Sequence, residues 1–196
     1  EIKATLPSTP LQFFTSKWCK VNWFRHGDLA VWKFLAQSRY GGRCEIFQTG
    51  QVKGHIHEYD FNSSYPAAMK ANPFPNLDTM QRGKTITDLD KAGVASCRVK
   101  CPPMEFPLLP YKGEKGGKLL FPFGTFEGTW TYAKLKKAVQ LGYTIEKIHD
   151  TIEYELMPSP FAPYIDFLYT RRQVVKGNDE LMSYKLKILM NALFGK

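Results

Sequence analysis

Polar and apolar residues alternate in the first third of the chain and recur at helical spacing near its end. Between Glu58 and Asn62 every second residue is polar, which is the period of a β-strand with one packed face and one polar face. We predict strands at residues 44–49 and 54–61 and a helix at residues 28–38.

The C-terminal segment has the pattern of two helices joined by a turn. A helix is predicted at residues 164–175, followed by a glycine-containing turn at 176–179 and an acidic start to the next helix. In that helix one stripe carries Lys187, Asn191 and Phe194, at i, i+4 and i+7. The other stripe is apolar and is expected to be the packed face: Leu186, Leu189, Met190 and Leu193.

The middle of the chain is rich in proline and glycine. Strand-like runs lie at residues 95–101, 118–121, 144–148 and 151–156, and a helix at 132–141 is stopped by Gly142. We therefore expect an α+β fold in three parts: 1–72, 73–163 and 164–196.

Composition favours a nucleic-acid partner. Lys and Arg outnumber Asp and Glu by 27 to 18, a net charge of +9, which is typical of a phosphate-binding surface, although a merely soluble basic domain would share it. Basic and aromatic residues interleave at 17–25 and 32–34, which fits either base stacking or an amphipathic core segment. Because no zinc spacing, signal peptide or long apolar run occurs, we expect a cytoplasmic protein, not secreted and without a membrane partner.

Asp60 is the main candidate for chemistry. A carboxylate near a strand end, followed by the turn residues 62–64, suits a triphosphate with its divalent cation. The cation takes the carboxylate oxygen, and backbone N–H groups of the turn take phosphate oxygens. The alternative is a core strand whose aspartate caps a following helix at 64–69. Downstream, Arg171, Arg172 and Lys187 can neutralise phosphoryl oxygens, or can lie on a solvated helix face.

Two segments together resemble motifs A and B of the family B DNA polymerases: Tyr-Asp-Phe-Asn-Ser-Ser-Tyr-Pro at 59–66 and Lys-Ile-Leu-Met-Asn-Ala-Leu-Phe-Gly-Lys at 187–196. Residues 39–45 resemble the Tyr-x-Gly-Gly element of the protein-primed members, which are found in phages, linear plasmids and mobile elements. Residues 5–18 and 121–143 also resemble segments of that type. The resemblance implies the N-terminal part of a palm, with an antiparallel sheet and helices, at 1–72. A mixed α/β insertion that contacts a terminal (priming) protein would follow at 73–163, and a helical-hairpin fingers subdomain at 164–196.

The resemblance also implies residue roles. Asp60 would be catalytic and would bind Mg²⁺ or Mn²⁺ together with the Phe61 carbonyl, and Tyr65 would exclude a ribose 2′-hydroxyl. Contacts to the dNTP substrate are implied for Asn62, Ser63, Tyr65, Arg171 or Arg172, Lys187, Asn191, Phe194 and Gly195. Contacts to the DNA template and primer are implied for Arg39, Tyr40, Gly41, Gly42 and Arg43.

The sequence contains no Asp-Thr-Asp, the motif C that supplies the second aspartate of this family. Since two-metal nucleotidyl transfer needs at least two carboxylates, we expect these residues alone not to polymerise. We expect a second polypeptide, or a further C-terminal region with motif C and a thumb, to complete the enzyme. Two other hypotheses stay open: a polymerase-derived module that only binds DNA or a partner protein, and an unrelated basic α/β protein.

Overall fold

The structure is a computed structural model that describes residues 8–19, 28–113 and 118–194. Its helices are α1 (Ser8–Lys17), α2 (Leu29–Gln37), α3 (Ser64–Ala71), α4 (Tyr132–Gln140), α5 (Ala162–Val175), α6 (Glu180–Ala192) and a 3₁₀ turn at Leu77–Thr79. Its strands are β1 (Phe74–Pro75), β2 (Gln81–Gly83), β3 (Ala92–Cys101), β4 (Tyr111–Lys112), β5 (Leu119–Leu120), β6 (Gly124–Thr131), β7 (Thr144–Tyr154) and β8 (Leu156–Met157). This mixture of antiparallel strands and helices is the predicted fold class.

The described residues form two compact units. The first is drawn from Glu1–Asn22, Lys53–Phe74 and Met157–Lys196, and the second from Trp23–Val52 and Pro75–Leu156. The motif A and motif B segments therefore belong to one unit. The segment from Trp23 to Val52, which we had placed in the first of three parts, groups instead with the central part of the chain.

The second unit is built on a four-stranded antiparallel sheet in the order β2-β7-β3-β6. Alternate residues of β3 from Ala95 to Cys101 are buried on one face, where α4 packs and inserts Tyr132 and Leu135 into the core. On the other face, α2 covers the end of the sheet with Val31 and Phe34. The predicted helices at 28–38 and 132–141 and the strand at 95–101 are confirmed.

Two strand predictions for the sheet were less accurate. The runs at 144–148 and 151–156 were predicted as separate strands, but β7 continues through both as far as Tyr154. The pairing of β7 with β3 shifts register at Ser96/Cys97 and at Arg98/Val99. These shifts explain why the strand-like sequence pattern is interrupted between 148 and 151. The predicted strand at 118–121 is reduced to β5, which pairs only with β4.

The first unit contains the helices α1, α3, α5 and α6. The two C-terminal helices pack against each other and are joined by a turn in which Gly177 has a φ of 87°, a left-handed value that glycine adopts readily. Asp179 caps α6 by accepting a hydrogen bond from the N–H of Met182 at 2.9 Å. Both helices and the turn between them are confirmed. No helix in the described ranges is long and apolar enough to cross a membrane.

The strands predicted at 44–49 and 54–61 are wrong. Both segments lack a regular secondary structure, and every residue from 41 to 61 is exposed. The alternation of polar and apolar residues was correctly identified, but a strand also needs a neighbouring strand to take its backbone N–H and C=O groups. None of the strands in the described ranges pairs with either segment.

Candidate functional site

A pocket of about 300 Å³ lies within the first unit. Its lining comes from the turn after residue 59 and from the two C-terminal helices: Asp60, Phe61, Asn62, Ser63, Ser64, Tyr65, Arg172, Lys187 and Asn191. A volume near 300 Å³ is at the small end of the range for ligand pockets. The structure thus brings the predicted acid of the first motif and the predicted cation of the second to one cavity.

The turn that carries Asp60 has an unusual backbone. Ser63 has a φ of 53°, and it is the one non-glycine residue in the described ranges with a positive φ. A left-handed conformation costs a non-glycine residue about 1–2 kcal/mol, so the surrounding contacts must hold it. The carbonyl of Ser63 accepts the N–H of Ala67 at 2.9 Å and begins α3, while its side chain forms no capping hydrogen bond. The first-turn N–H groups of α3 are therefore not satisfied by this cap.

The basic side of the pocket comes from the two packed C-terminal helices. In α6, Lys187 and Asn191 are four residues apart and share one face. The adjacent face is buried through four residues: Ser183, Leu186, Met190 and, just beyond the helix, Leu193. This division matches the predicted stripes, except that Leu189 is only partly buried.

Of the two adjacent arginines in α5, only Arg172 lines the pocket. Its Nε is buried and has no hydrogen-bond partner among the described residues. Arg171 is exposed, and its guanidinium lies 5.2 Å from the ring centroid of Phe167. The sequence left the choice between these arginines open, and the structure places Arg172 in the lining of the pocket that Asp60 also lines.

Two aromatic rings stack beside the cavity. The rings of Tyr65 and Phe194 lie 4.1 Å apart between centroids with an interplanar angle of 20°. Their exposed fractions are 52% and 55%. A flat, half-open aromatic surface of this kind can contact a sugar or a base. Gly195, the neighbour predicted to share this role, lies outside the described residues.

The donor set fits a hard divalent cation only in part. Asp60 offers carboxylate oxygens and Phe61 a backbone carbonyl, which are the ligand types that Mg²⁺ prefers. Asp60 is the one carboxylate among the pocket-lining residues. No group of three or more His, Cys, Asp or Glu side chains in the described ranges is arranged to hold a metal ion. A second carboxylate would have to come from elsewhere.

The residues predicted to touch template DNA lie in the second unit. Arg43 is held by the fold: it donates a hydrogen bond to the Pro107 carbonyl at 2.7 Å, pairs with Glu45 at 2.7 Å and lies 4.3 Å from the Phe121 ring centroid. Arg39, Gly41 and Gly42 are exposed. Tyr40 is half-buried, and burial raises the pKa of its phenol. The DNA contacts of these residues stay a prediction.

Sequence reasoning missed two residues. Ser64 lines the pocket, although the motif pattern assigned it no role. Tyr164 is fully buried, and its hydroxyl donates a hydrogen bond to the carbonyl of Leu189 at 2.9 Å. No sequence signal identifies such a contact, because an aromatic residue in a helix is ordinarily expected to pack.

The chain matches a family of proteins over almost its whole length. Residues 2–196 fit the family described as DNA polymerase type B, organellar and viral. A probable DNA polymerase of Ascobolus immersus is 31% identical over 83% of the chain, and one of Neurospora intermedia is 30% identical over 98%. A DNA-directed DNA polymerase of Enterobacteria phage PRD1 is 25% identical over 80%. The chain spans only 13%, 20% and 27% of the lengths of these three relatives.

The fold is also similar to that of a solved polymerase. Phi29 DNA polymerase in an orthorhombic crystal form aligns with 98% of the chain at a TM-score of 0.72 and 17% identity. A ternary complex of the same enzyme with primer-template DNA and incoming nucleotide aligns over 98% at 0.69 and 18%. The chain covers 36% of each of these structures. The resemblance seen in the two motifs is confirmed: this chain belongs to the type B DNA polymerases of organellar and viral origin.

Proposed function

We propose that the chain supplies part of the nucleotide-binding site of a protein-primed type B DNA polymerase. The observation that carries the proposal is the pocket shared by Asp60, Arg172 and Lys187. A carboxylate and two cations in the lining of one cavity suit a nucleoside triphosphate held with a divalent cation. The cation takes the carboxylate, and the basic side chains take the phosphate oxygens.

Each side of the pocket has a distinct task in this proposal. Asp60 and the Phe61 carbonyl hold Mg²⁺ or Mn²⁺, whose chemistry is to stabilise charge on the transferring phosphoryl group. Arg172 and Lys187 neutralise the triphosphate, and the buried Nε of Arg172 gains a hydrogen-bond partner, which it lacks among the described residues. The N–H groups of the turn at Asn62 and Ser63 add hydrogen bonds to phosphate oxygens.

The aromatic pair selects the sugar and supports the base. Tyr65 stands next to the phosphate-binding turn, where its ring excludes a ribose 2′-hydroxyl. Phe194 is stacked on it at 4.1 Å and provides a surface beneath the nascent base pair. Asn191, one helical turn before Phe194, contacts the incoming nucleotide.

Two-metal phosphoryl transfer requires a second carboxylate near Asp60. We propose that a neighbouring polymerase segment, or a second polypeptide, contributes it on a strand that pairs with residues 54–61. This segment is accessible for such pairing, since Ile56, Tyr59 and Phe61 have exposed fractions of 80%, 90% and 85%. Exposed apolar side chains on an unpaired segment with strand-like alternation favour the addition of a strand.

Membership of the family supports two proposed partners of the complete enzyme, DNA and a terminal protein. Template and primer DNA are the proposed substrates of the complete enzyme, and solved structures of phi29 polymerase contain primer-template or single-stranded DNA. We also propose that residues 73–163 contact a terminal protein whose hydroxyl begins synthesis.

The test is nucleotide incorporation by the complete polymerase, with the second carboxylate present. Asp60→Asn should abolish incorporation with Mg²⁺ and dNTPs and leave DNA binding largely intact. Asp166→Asn is the matched control, because Asp166 is exposed, belongs to the same unit, pairs with Lys70 and lies outside the pocket lining. Full activity of Asp60→Asn would contradict the metal-binding role. We expect the 196-residue chain alone not to extend a primer.

A second candidate is a binding module without catalysis, and the single carboxylate of the pocket favours it. Such a module would bind Mg²⁺ and dNTP through the same residues. It would show no incorporation even when combined with the rest of a polymerase.

A further inference from the structure

Two lysines of the second unit lie over one aromatic ring. The Nζ atoms of Lys112 and Lys134 are 5.6 Å and 5.1 Å from the ring centroid of Tyr40. Lys112 comes from β4, Lys134 from the first turn of α4, and Tyr40 from the segment after α2. Three separate parts of the chain therefore converge to hold two ammonium groups against one ring.

Among the described residues, this cluster has no acidic ion-pair partner. Some other described lysines are paired with carboxylates, as in Lys91 with Glu155 at 2.8 Å and Lys136 with Asp90. Neither Lys112 nor Lys134 forms such an ion pair with a described residue, and the first turn of α4 contains no acidic side chain. Lys134 is also partly buried, which lowers the pKa of its ammonium group. Two neighbouring cations in a partly desolvated place repel each other, and an anion would relieve this repulsion.

The backbone beside the cluster is open. A Cβ atom added at Gly41 or Gly42 would meet no heavy atom within 4 Å. Tyr40 itself packs against the hydrophobic core of the sheet, so its ring is a support for the lysines and not a free stacking surface. An extended anion can approach the two ammonium groups along the glycine segment.

We propose that Lys112 and Lys134, held over the ring of Tyr40, bind the phosphodiester backbone of a DNA strand. This inference rests on the proposed polymerase function and identifies residues outside the Tyr-x-Gly-Gly-like element as the source of the charge. A DNA strand carries one phosphate per nucleotide, so it presents adjacent anions to two adjacent cations. The net charge of +9 is consistent with a polyanionic partner.

The experiment measures binding of a fluorescently labelled 12-nucleotide oligo(dT) and a labelled 12-base-pair duplex to the chain by anisotropy, across a salt series. Affinity scales with salt concentration to the power of about −0.7 per phosphate contact for single strands and about −0.9 for duplex. Relative to 1 M salt, one phosphate contact therefore strengthens binding at 0.1 M salt by about fivefold for a single strand and by about eightfold for a duplex. Lys134→Gln and Lys112→Gln should each weaken binding by about this factor and reduce the salt slope by nearly one contact. If only the single strand or only the duplex shows this loss of affinity, that is the form of DNA that the two lysines bind.

Lys147→Gln is the matched control, because Lys147 is exposed and lies opposite Arg98 on the far face of the sheet from Tyr40. It removes the same charge and should leave the salt slope nearly unchanged. Lys134→Arg should retain binding, and circular dichroism checks that every variant folds.

Three results would overturn the proposal. The first is a wild-type chain that binds neither oligonucleotide at 50 mM salt. The second is a loss for Lys134→Gln no larger than for Lys147→Gln. The third is binding of polyglutamate as tight as that of DNA with the same dependence on Lys134, which would indicate an acidic protein partner. None of these measurements needs catalysis, so failure here is distinct from failure of the incorporation test.

Discussion

The hydroxyl of Tyr164 links the two helices that bring cations to the pocket, and Tyr164→Phe removes this link alone. The hydroxyl donates to the carbonyl of Leu189 at 2.9 Å, and Leu189 lies midway between Lys187 and Asn191 in α6. Tyr164 is eight residues before Arg172 in α5. Burial raises the pKa of the phenol, so the group stays a neutral donor. Removal of the hydroxyl keeps the packing of the ring, but it removes a hydrogen bond that fixes the position of α5 relative to α6.

The size of the expected stability loss depends on which donors the Leu189 carbonyl has. In a regular helix the Leu189 carbonyl would accept the N–H of Leu193, but that N–H is directed to Asn191 instead. The Tyr164 hydroxyl is a donor to this carbonyl at the position where the usual helical donor is turned away. A lost hydrogen bond costs about 0.5–1.5 kcal/mol, and an acceptor left without a partner costs about 1–3 kcal/mol. We expect Tyr164→Phe to lower the free energy of unfolding by about 2 kcal/mol, a fall in Tm of roughly 4–8 °C for a chain of this length.

Urea denaturation followed by circular dichroism measures this loss, and titration with labelled dNTP in Mg²⁺ measures the effect on the pocket. Tyr169→Phe is the control, since Tyr169 is in the same helix and 46% exposed. Tyr164→Phe should weaken dNTP binding under conditions where it is still fully folded, and the control should not. Equal stability and equal dNTP affinity for the two variants would refute the positioning role.

Four further predictions concern other parts of the chain. Gly93→Ala would place a Cβ 2.6 Å from the ring of Tyr132, so we expect a loss of about 1–3 kcal/mol in urea denaturation. Gly41→Ala, which meets nothing within 4 Å, should change stability by less than about 0.5 kcal/mol. Burial acts to raise the pKa of Glu153, but the hydrogen bonds that its carboxylate accepts outweigh burial and lower that pKa. The ionised Glu153 carboxylate stabilises the fold above its unfolded-state pKa, and this stabilisation is lost as pH falls through its folded-state pKa. Glu153→Gln should therefore reduce the loss of stability that the protein shows below about pH 4.5. An acid-denaturation profile unchanged by the substitution would contradict this. In the complete polymerase, Tyr65→Ala should admit ribonucleotides in a primer-extension assay, and unchanged sugar discrimination would exclude the gate role.

The helical part of the site could be predicted because helical signals are local. The spacing of Lys187, Asn191 and the apolar residues between them fixes which face of α6 packs, and the structure has that arrangement. The turn at Gly177 and the cap at Asp179 are likewise read from neighbouring residues. Such features depend on contacts within about four residues, so they can be predicted without knowledge of the tertiary fold.

Features set by distant contacts could not be predicted. The alternation at 54–61 predicts a strand, but strand formation depends on a pairing partner elsewhere in the protein. Which arginine faces the pocket depends on the rotation of α5 against its neighbours, and the choice of Arg172 became visible only in the structure. The pair of lysines over Tyr40 joins residues more than 70 positions apart, and no sequence spacing signals it.

The central claim is that Asp60 and α6 act on the same nucleotide, and a double-mutant cycle on Mg²⁺·dNTP affinity tests it most directly. Asp60→Asn, Lys187→Gln and the double variant would be titrated with labelled dNTP in Mg²⁺, alongside a cycle of Asp166→Asn with Lys187→Gln. Groups that share one ligand show coupling of about 0.5–3 kcal/mol, whereas independent sites add within about 0.3–0.5 kcal/mol. We predict coupling of at least about 1 kcal/mol for Asp60 with Lys187 and additivity for the Asp166 cycle. Additivity in both cycles would contradict a shared nucleotide site.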